Sequence, residues 1–443
     1  MDFYSEAFEL LELHFAPTTG IFKGAMLNEV STQRSDDVPQ KGRGYAVASG
    51  ILGWTLDAFD FFVVVFLVDT LATHFQVGKS SIVLTLGATL AMRPVGALLF
   101  GTMADRYGRR KPLMAVVAYF SLIEVLSGLA VNYPMFLILR LLYGIGMGGF
   151  WGVGASLTLE SAPTRWRGLL SGLLQGGYPL GYLLAAVAAR LILPAWGWRA
   201  MFWAGLVPAA ITIFVTYLSP ESAAWKQHQV PSMSGIARVM WEHRKGFAYL
   251  VLTLTLMICL SHGTQDLYPD FLKTAHHISP NVVAYLAMFY NVGALLGTIS
   301  VGAISERLGR RLSIIASLGV CALVIPLWAF GHSLAILAAG AFLMQVGVQG
   351  AWGVIPAHLN ELSPDAVRSL FPGFIYQLGV LFGSPTNTVE YALRDRVGYQ
   401  WALTIFEGCT IVALVIVFAL GPERKGKDFF RKALSLQEVE TAS

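Results

Sequence analysis

Twelve apolar runs, each about long enough to cross a bilayer, follow one another along this chain with only short polar or basic stretches between them. They fall at about 45–69, 81–104, 112–131, 134–158, 168–193, 199–219, 247–269, 281–305, 312–330, 333–359, 369–393 and 399–420. A helix needs roughly twenty apolar residues to span ~30 Å of hydrocarbon. Barrel strands are about ten residues long and alternate in polarity, so these runs exclude a barrel. The predicted fold class is an all-α membrane protein with twelve transmembrane helices. Only 13% of the 443 residues are charged and 55% are hydrophobic, whereas soluble domains carry about a quarter charged residues. Much of the surface therefore faces lipid.

The basic residues orient the spans. With the N-terminus in the cytoplasm, most of the 31 Lys and Arg fall on the cytoplasmic side, as the positive-inside rule requires. Both termini are then cytoplasmic, in the inner (plasma) membrane of a bacterium. The net charge of +4 reflects this topology and implies no nucleic-acid partner. Residues 1–44 read as a cytoplasmic tail without a cleavable signal pattern, and either Met1 or Met26 serves as the start of translation. Cys259, Cys321 and Cys409 lie inside spans with no C-x-x-C pair, which argues against a metal or disulfide framework. No cofactor is expected.

An internal repeat organises the spans. GTMADRYGRR (101–110) returns as GAISERLGRR (302–311), 201 positions later. At the same offset GFWGVGASLTLESAPTRWR (149–167) aligns with GAWGVIPAHLNELSPDAVR (350–368). Each half holds six helices: 45–220 and 247–422, joined by a polar linker at 221–246 and followed by a cytoplasmic tail at 423–443. Parallel six-helix halves with a substrate site between them at midplane are the plan of major facilitator transporters. The motif G-x-x-x-[DE]-R-x-G-R-R, found here between spans 2 and 3 and again between 8 and 9, is that superfamily's hallmark, and the chain resembles it throughout spans 1–12. The resemblance implies a cytoplasmic latch of paired charges: Asp105, Arg106, Arg109, Glu160 and Arg167 in the first half, Glu306, Arg307, Arg310, Glu361 and Arg368 in the second. Topology alone accounts for the arginines but not for the acids. GIGMGG (144–149) matches a dinucleotide pattern, but no strand precedes it; glycines within a span let helices approach closely.

Charges inside spans are costly and mark function by default. At ~1.5 Å of rise per residue, Asp57 lies ~18 Å into span 1 from Tyr45 and Arg93 ~18 Å into span 2 from Ser81 on the opposite side, so both sit near midplane. Asp60 follows one turn after Asp57 on the same face. Three charges for one pair leave an acid over, which suits proton coupling by Asp57 and Asp60. In the empty protein Arg93 is expected to pair with one of them. Pro94 can bend span 2 there. Glu124 of span 3 and Arg140 of span 4 share a depth and read as a structural ion pair. In span 7, His262, Gln265 and Asp266 share a face that should look across a cavity at Asp57 and Asp60, although Asp266 also reads as a simple helix end. Asn291, Gln345, Gln349 and Gln377 are further polar candidates for the cavity wall.

GWTLDAFDFF (53–62), RPVGALLFG (93–101) and SHGTQDLYP (261–269) together resemble the sialate:proton symporter family, which includes the lactate–pyruvate permeases of yeasts. Those permeases carry N-x-x-[ST]-H-x-[ST]-Q-D-x-x-x-T in span 7, associated with carboxylate recognition. Ser261, His262, Thr264, Gln265 and Asp266 match its centre, whereas Ile258 and Asp270 stand where the family has Asn and Thr. The resemblance implies a monomeric, proton-coupled importer of an organic anion bearing a carboxylate. A monocarboxylate such as lactate or pyruvate is slightly favoured over a sialic acid, and the binding residues are Arg93, His262, Gln265 and Asp266. A proton-driven exporter on the same fold and a non-transporting nutrient sensor are the alternatives. No nucleophile–base constellation, metal cluster or nucleotide motif supports an enzyme.

Overall fold

The structure, a computed structural model, describes residues 42–226 and 232–429. Most of the N-terminal tail, the choice between Met1 and Met26, and the end of the C-terminal tail lie outside them. Every described element is helical. Span 1 is Arg43–Phe66, span 2 Lys79–Tyr107, span 3 Arg110–Gly128 and span 4 Tyr133–Ser161. Span 7 is Arg244–Gln265, span 8 Pro280–Leu308, span 9 Arg310–Phe330, span 10 Leu334–Leu362 and span 12 Tyr399–Leu420. Spans 5 and 6 run on as Arg167–Trp203 until a break at Gly197, whose φ of 75° suits glycine, and span 6 resumes as Leu206–Leu218.

Local chemistry sets the ends of these helices. The Asn132 side chain accepts the Met135 N–H at the start of span 4, and Ser333 accepts the Ile336 N–H at span 10. Two spans predicted as single helices are broken. Span 7 ends at Gln265, and a short helix, Tyr268–Thr274, restarts with Pro269 in its first turn. Span 11 is Leu370–Gly383, and Thr386–Val397 restarts after Pro385. A proline is tolerated in a helix's first turn but not easily in its interior.

The repeat seen in the sequence is repeated in space. Gly108 and Gly309 take φ of 96° and 94° and turn the chain into spans 3 and 9. The Arg109 guanidinium then grips Glu160 through Nε (3.2 Å) and Nη2 (3.0 Å), and Asp105 through Nη1 (2.8 Å). Arg310 does the same to Glu361 (3.0 and 2.9 Å) and Glu306 (3.1 Å). Both arginines are buried. Buried charges persist only when paired and hydrogen-bonded, so these clusters fix the turns rigidly. Arg106 and Arg307, expected in the same latch, are instead exposed; Arg106 lies over the neighbouring Tyr107 ring. Each follows the acid by one residue, which points it away from the packed face.

The two sets of six spans close on each other at the end that carries these basic turns. Asp105 accepts the backbone N–H groups of Ser369 (3.0 Å) and Leu370 (2.9 Å), so a carboxylate of span 2 caps the start of span 11. Glu306 mirrors it by accepting the Gly168 N–H at the start of span 5. Arg368 reaches Glu160 at 3.3 Å across the same seam. Arg167, its repeat partner, does not pair with Glu361; it donates to the Lys427 carbonyl at 2.5 Å and lies 3.6 Å from the Phe429 ring centroid. The chain after span 12 thus takes the position that symmetry assigns to an ion pair. Ser171 completes the seam, donating to the Gly353 carbonyl (2.7 Å) and accepting the Ala357 N–H (3.0 Å).

Small residues make this closure possible. A methyl group at Gly152 of span 4 would stand 2.5 Å from the Ser369 carbonyl oxygen and 2.8 Å from Gly373 Cα, closer than real contacts allow. Gly152→Val should therefore fold yet fail to close the basic end. Spin labels at the exposed Arg106 and Arg307 positions, read by pulsed electron paramagnetic resonance, should move to longer separations. An unchanged distance distribution would show that closure does not depend on this contact.

Candidate functional site

Above the closed end lies a narrow cavity of about 50 Å³ between the two sets of spans. From the first set, Arg93, Gln175 and Tyr178 line it; from the second, Ser261, His262, Gln265, Gln349 and Tyr376. Gln377 Nε2 donates to the Gly148 carbonyl at 3.3 Å, a hydrogen bond from the second set to the first.

Arg93 sits at a close contact between spans 2 and 4. A methyl group at Gly148 would fall 2.0 Å from the Arg93 carbonyl oxygen, so the glycines of GIGMGG bring span 4 directly against span 2, as expected of glycines within spans. The guanidinium is 4% exposed, and its Nε and Nη2 have no hydrogen-bond partner. It lies 5.5 Å from the Tyr376 ring centroid. Tyr376 in turn stacks on Trp151 (4.5 Å, 10°) and meets Trp54 and Trp352 edge-on at 6.3 and 5.8 Å. This aromatic floor joins both sets, and Arg93 sits on it.

The opposite wall is the polar face of span 7. His262 Nδ1 lies 2.8 Å from Asp266 Oδ2, which also accepts Asn387 Nδ2 at 2.9 Å. With Nδ1 engaged, the ring's other nitrogen is an acceptor when neutral and a donor when charged. Gln265 Nε2 donates to Gln345 Oε1 (3.0 Å), Gln345 Nε2 to Thr264 (3.3 Å) and Gln349 Nε2 to Ser261 (3.3 Å). These amides zip span 7 to span 10. Gln265 and Gln349 reach the cavity, while Gln345 stands behind them.

Several predicted positions lie elsewhere. Asp57 and Asp60 do not face the cavity, because span 1 turns that side into the first set. The Tyr143 hydroxyl donates to the Asp57 carbonyl at 3.0 Å, and Asp60 Oδ1 lies 2.6 Å from where a Gly205 Cβ would stand. Neither acid is paired with Arg93, although the Arg93 charge acts on Asp57. Both carboxylate oxygens of Asp57 are buried without a hydrogen-bond partner. Depth, estimated from rise per residue, placed these groups at one level but could not give their facing. Asn291 donates to the Ala287 carbonyl of its own helix (2.8 Å) and does not line the cavity; Gln377 lies under it. Asp266 reaches the site only through His262. Gln175, Tyr178, Trp352 and Tyr376 went unpredicted. Gln175 carried a legible signal as an amide inside a span; the aromatics looked like ordinary apolar residues.

Glu124 and Arg140 form the pair that their depths predict. Arg140 Nη1 and Nη2 reach the two Glu124 oxygens at 2.9 and 3.1 Å, and Nη2 also donates to Ser127. Phe136, Tyr143 and Phe202 surround the guanidinium, with centroids at 5.4, 4.7 and 5.4 Å.

The chain matches two sequence families, "Sugar (and other) transporter" over residues 25–240 and "Major Facilitator Superfamily" over 251–438. It is 30% identical over 375 residues to a "Carboxylic acid transporter protein homolog" of Saccharomyces cerevisiae, covering 78% of this chain but only 61% of that protein. It is 30% identical to a "Probable 4-methylmuconolactone transporter" of Cupriavidus pinatubonensis, covering 84% of this chain and 89% of the relative. It is 26% identical to the "Sialic acid transporter NanX" of Escherichia coli, covering 86% and 94%. In fold it is similar to the proton:xylose symporter XylE, with a TM-score of 0.70 and 20% identity over 88% of this chain and 98% of that one.

Truncating one partner of a buried ion pair costs about 3–5 kcal/mol, because the other charge is left uncompensated. Glu124→Gln should therefore lower the thermal unfolding midpoint of the purified protein clearly. A midpoint equal to that of the parent would show that this cluster does not hold the first set together.

Proposed function

Because this chain belongs to the major facilitator superfamily, whose members are membrane transporters rather than enzymes, we propose that it imports an organic anion bearing a carboxylate, together with protons, by alternating access. One observation carries this reading. Arg93 presents a buried guanidinium with two unpartnered nitrogens to a cavity walled on the other side by His262 and Gln265. A guanidinium keeps its charge at any physiological pH and offers a planar fork matched to a carboxylate. The names of the relatives at 30% and 26% identity, which include carboxylic acid and sialic acid transporters, support the same substrate class. Within it we favour a short monocarboxylate such as lactate or pyruvate over a sialic acid.

In this proposal residues 45–220 and 247–422 are the two moving halves, and 221–246 links them. The basic end is cytoplasmic, in the inner membrane, with both termini on that side and the protein working as a monomer. The described state is then closed to the cytoplasm by the Asp105 and Glu306 caps and the Arg368–Glu160 pair. An arriving carboxylate takes the Arg93 fork and is bridged to the second half by His262 and Gln265. Tyr376, on which Arg93 rests, is packed against both halves, so occupancy of Arg93 is transmitted to the floor. Asp57 stands behind Arg93. Once the substrate's charge balances the guanidinium, ionised Asp57 has no cation of its own and takes up a proton; Asp60 joins this role from the next turn.

Uptake into proteoliposomes under an inward proton gradient, across a panel of labelled carboxylates and neutral sugars, tests the reading. Lactate, pyruvate or sialic acid should accumulate, and neutral sugars should neither accumulate nor compete. Accumulation of a neutral sugar alone would overturn it. Arg93→Lys keeps the charge but loses the fork, so KM for the carboxylate should rise about tenfold or more. A near-normal KM would remove Arg93 from substrate recognition. His262→Ala should raise KM and change the pH profile of uptake, and a variant unchanged in both would return span 7 to a structural role.

A further inference from the structure

A second group of buried acids lies on the far side of span 7 from the cavity, and nothing so far uses it. Glu390 belongs to Thr386–Val397 and Glu407 to span 12; they are 1% and 0% exposed. All four carboxyl oxygens are buried without a hydrogen-bond partner. They converge on Gly263, where a methyl group would stand 2.0 Å from Glu407 Oε1 and 3.0 Å from Glu390 Oε1, so these oxygens lie no more than 5.0 Å apart. Gly263 has no side chain to separate them. Facing the pair are Cys259 of span 7, Asp266 at its end and Cys321 of span 9. Arg394, one turn beyond Glu390, is engaged at 2.9 Å with Asp395 and at 4.0 Å with Asp270. Among the described residues no cation pairs with either glutamate.

Two carboxylates this close, buried and without a cation, are costly to ionise together, so at least one of them is a site for a proton. No group of three or more His, Cys, Asp or Glu able to hold a metal occurs among the described residues. The pair also has a connection to the cavity. His262 lines it and contacts Asp266, and Asp266 accepts Asn387, which stands three residues before Glu390 on the same helix face. Asn387 Oδ1 is buried and free to accept.

We propose that Glu390 and Glu407 form a second proton-binding site of this transporter, loaded from the cavity through His262 and Asp266. The proton comes from water at the open face, binds one carboxylate oxygen and leaves unchanged at the other face, so only an O–H bond is made and broken. This rests on the proton-coupled reading above. With one proton at Asp57 and one at this pair, a monovalent anion travels with two protons, and one net positive charge enters per cycle. An inside-negative potential of about 59 mV then supports roughly tenfold accumulation without a pH gradient.

The test uses full-length protein in proteoliposomes with a potassium diffusion potential and whichever labelled lactate, pyruvate or sialic acid the panel identifies. The parent should accumulate it about tenfold. Glu390→Gln and Glu407→Gln should lose that response while keeping pH-driven uptake and exchange. Variants that respond like the parent overturn the inference, as does a parent driven by pH but indifferent to potential; both leave the proton-coupled reading standing. A parent indifferent to both gradients removes that reading as well. Dicyclohexylcarbodiimide, which attacks protonated carboxyls in apolar surroundings, provides a measurement independent of the variants. Labelling of Glu390 or Glu407, located by peptide mass spectrometry and slowing as pH rises, supports the site, and no label on either overturns it. Arrest of labelling by sodium, with sodium-driven uptake, would assign the pair to that cation and overturn the proton site.

Discussion

A carboxylate capping a helix that belongs to the other half of the molecule is the contact on which this architecture turns. Asp105 accepts two N–H groups at the start of span 11, and Glu306 accepts one at the start of span 5. The first turn of a helix has N–H groups without intrahelical partners and a partial positive charge, so an acid there gains hydrogen bonds and electrostatic energy together. Each acid is held in place by a buried arginine that also binds a second acid on another span. Each capping acid is therefore also paired within its own half.

The same seam departs from symmetry at one place. Arg368 reaches Glu160, but Arg167 meets the segment after span 12 instead of Glu361. There Gly426 N–H donates to Glu361 at 3.2 Å, Lys427 Nζ lies 2.8 Å from Asp365, and the Phe429 ring sits 4.1 Å from Arg368. Asp365, outside the spans, is held below the usual carboxylate range chiefly by Arg368 and Lys427, against the opposing effect of burial. Two halves related by a repeat are thus closed by unlike contacts, and Phe429 lies against both seam arginines.

Cavity and seam are connected by aromatic packing rather than by charge. Tyr376 touches Arg93 above and Trp151 and Trp54 beside it, and the polar zipper between spans 7 and 10 stiffens the other wall. Packed aromatics have few alternative arrangements, so a change at the guanidinium cannot be absorbed locally.

Much of this is legible in the sequence. The twelve spans and the repeat follow from hydropathy and from the 201-residue offset, and the pairing of Arg109 and Arg310 with nearby acids is what the resemblance of their motif implies. Glu124 and Arg140 were paired correctly from depth alone, because adjacent spans leave two opposite charges at one level little choice. What sequence could not supply is rotation about each helix axis. Hydropathy fixes where a residue lies along the membrane normal, but an all-round apolar helix gives no face to its polar exceptions. Hence Asp57 and Asp60 were turned toward the cavity when they face the first set, Asn291 was placed on a wall it does not line, and Glu390 and Glu407 passed as parts of ordinary spans. The tertiary structure decided facing, because a span's rotation is set by which neighbours its small residues let in, Gly148 against Arg93 and Gly263 against two glutamates. Those contacts join helices far apart in the chain, which no local pattern records.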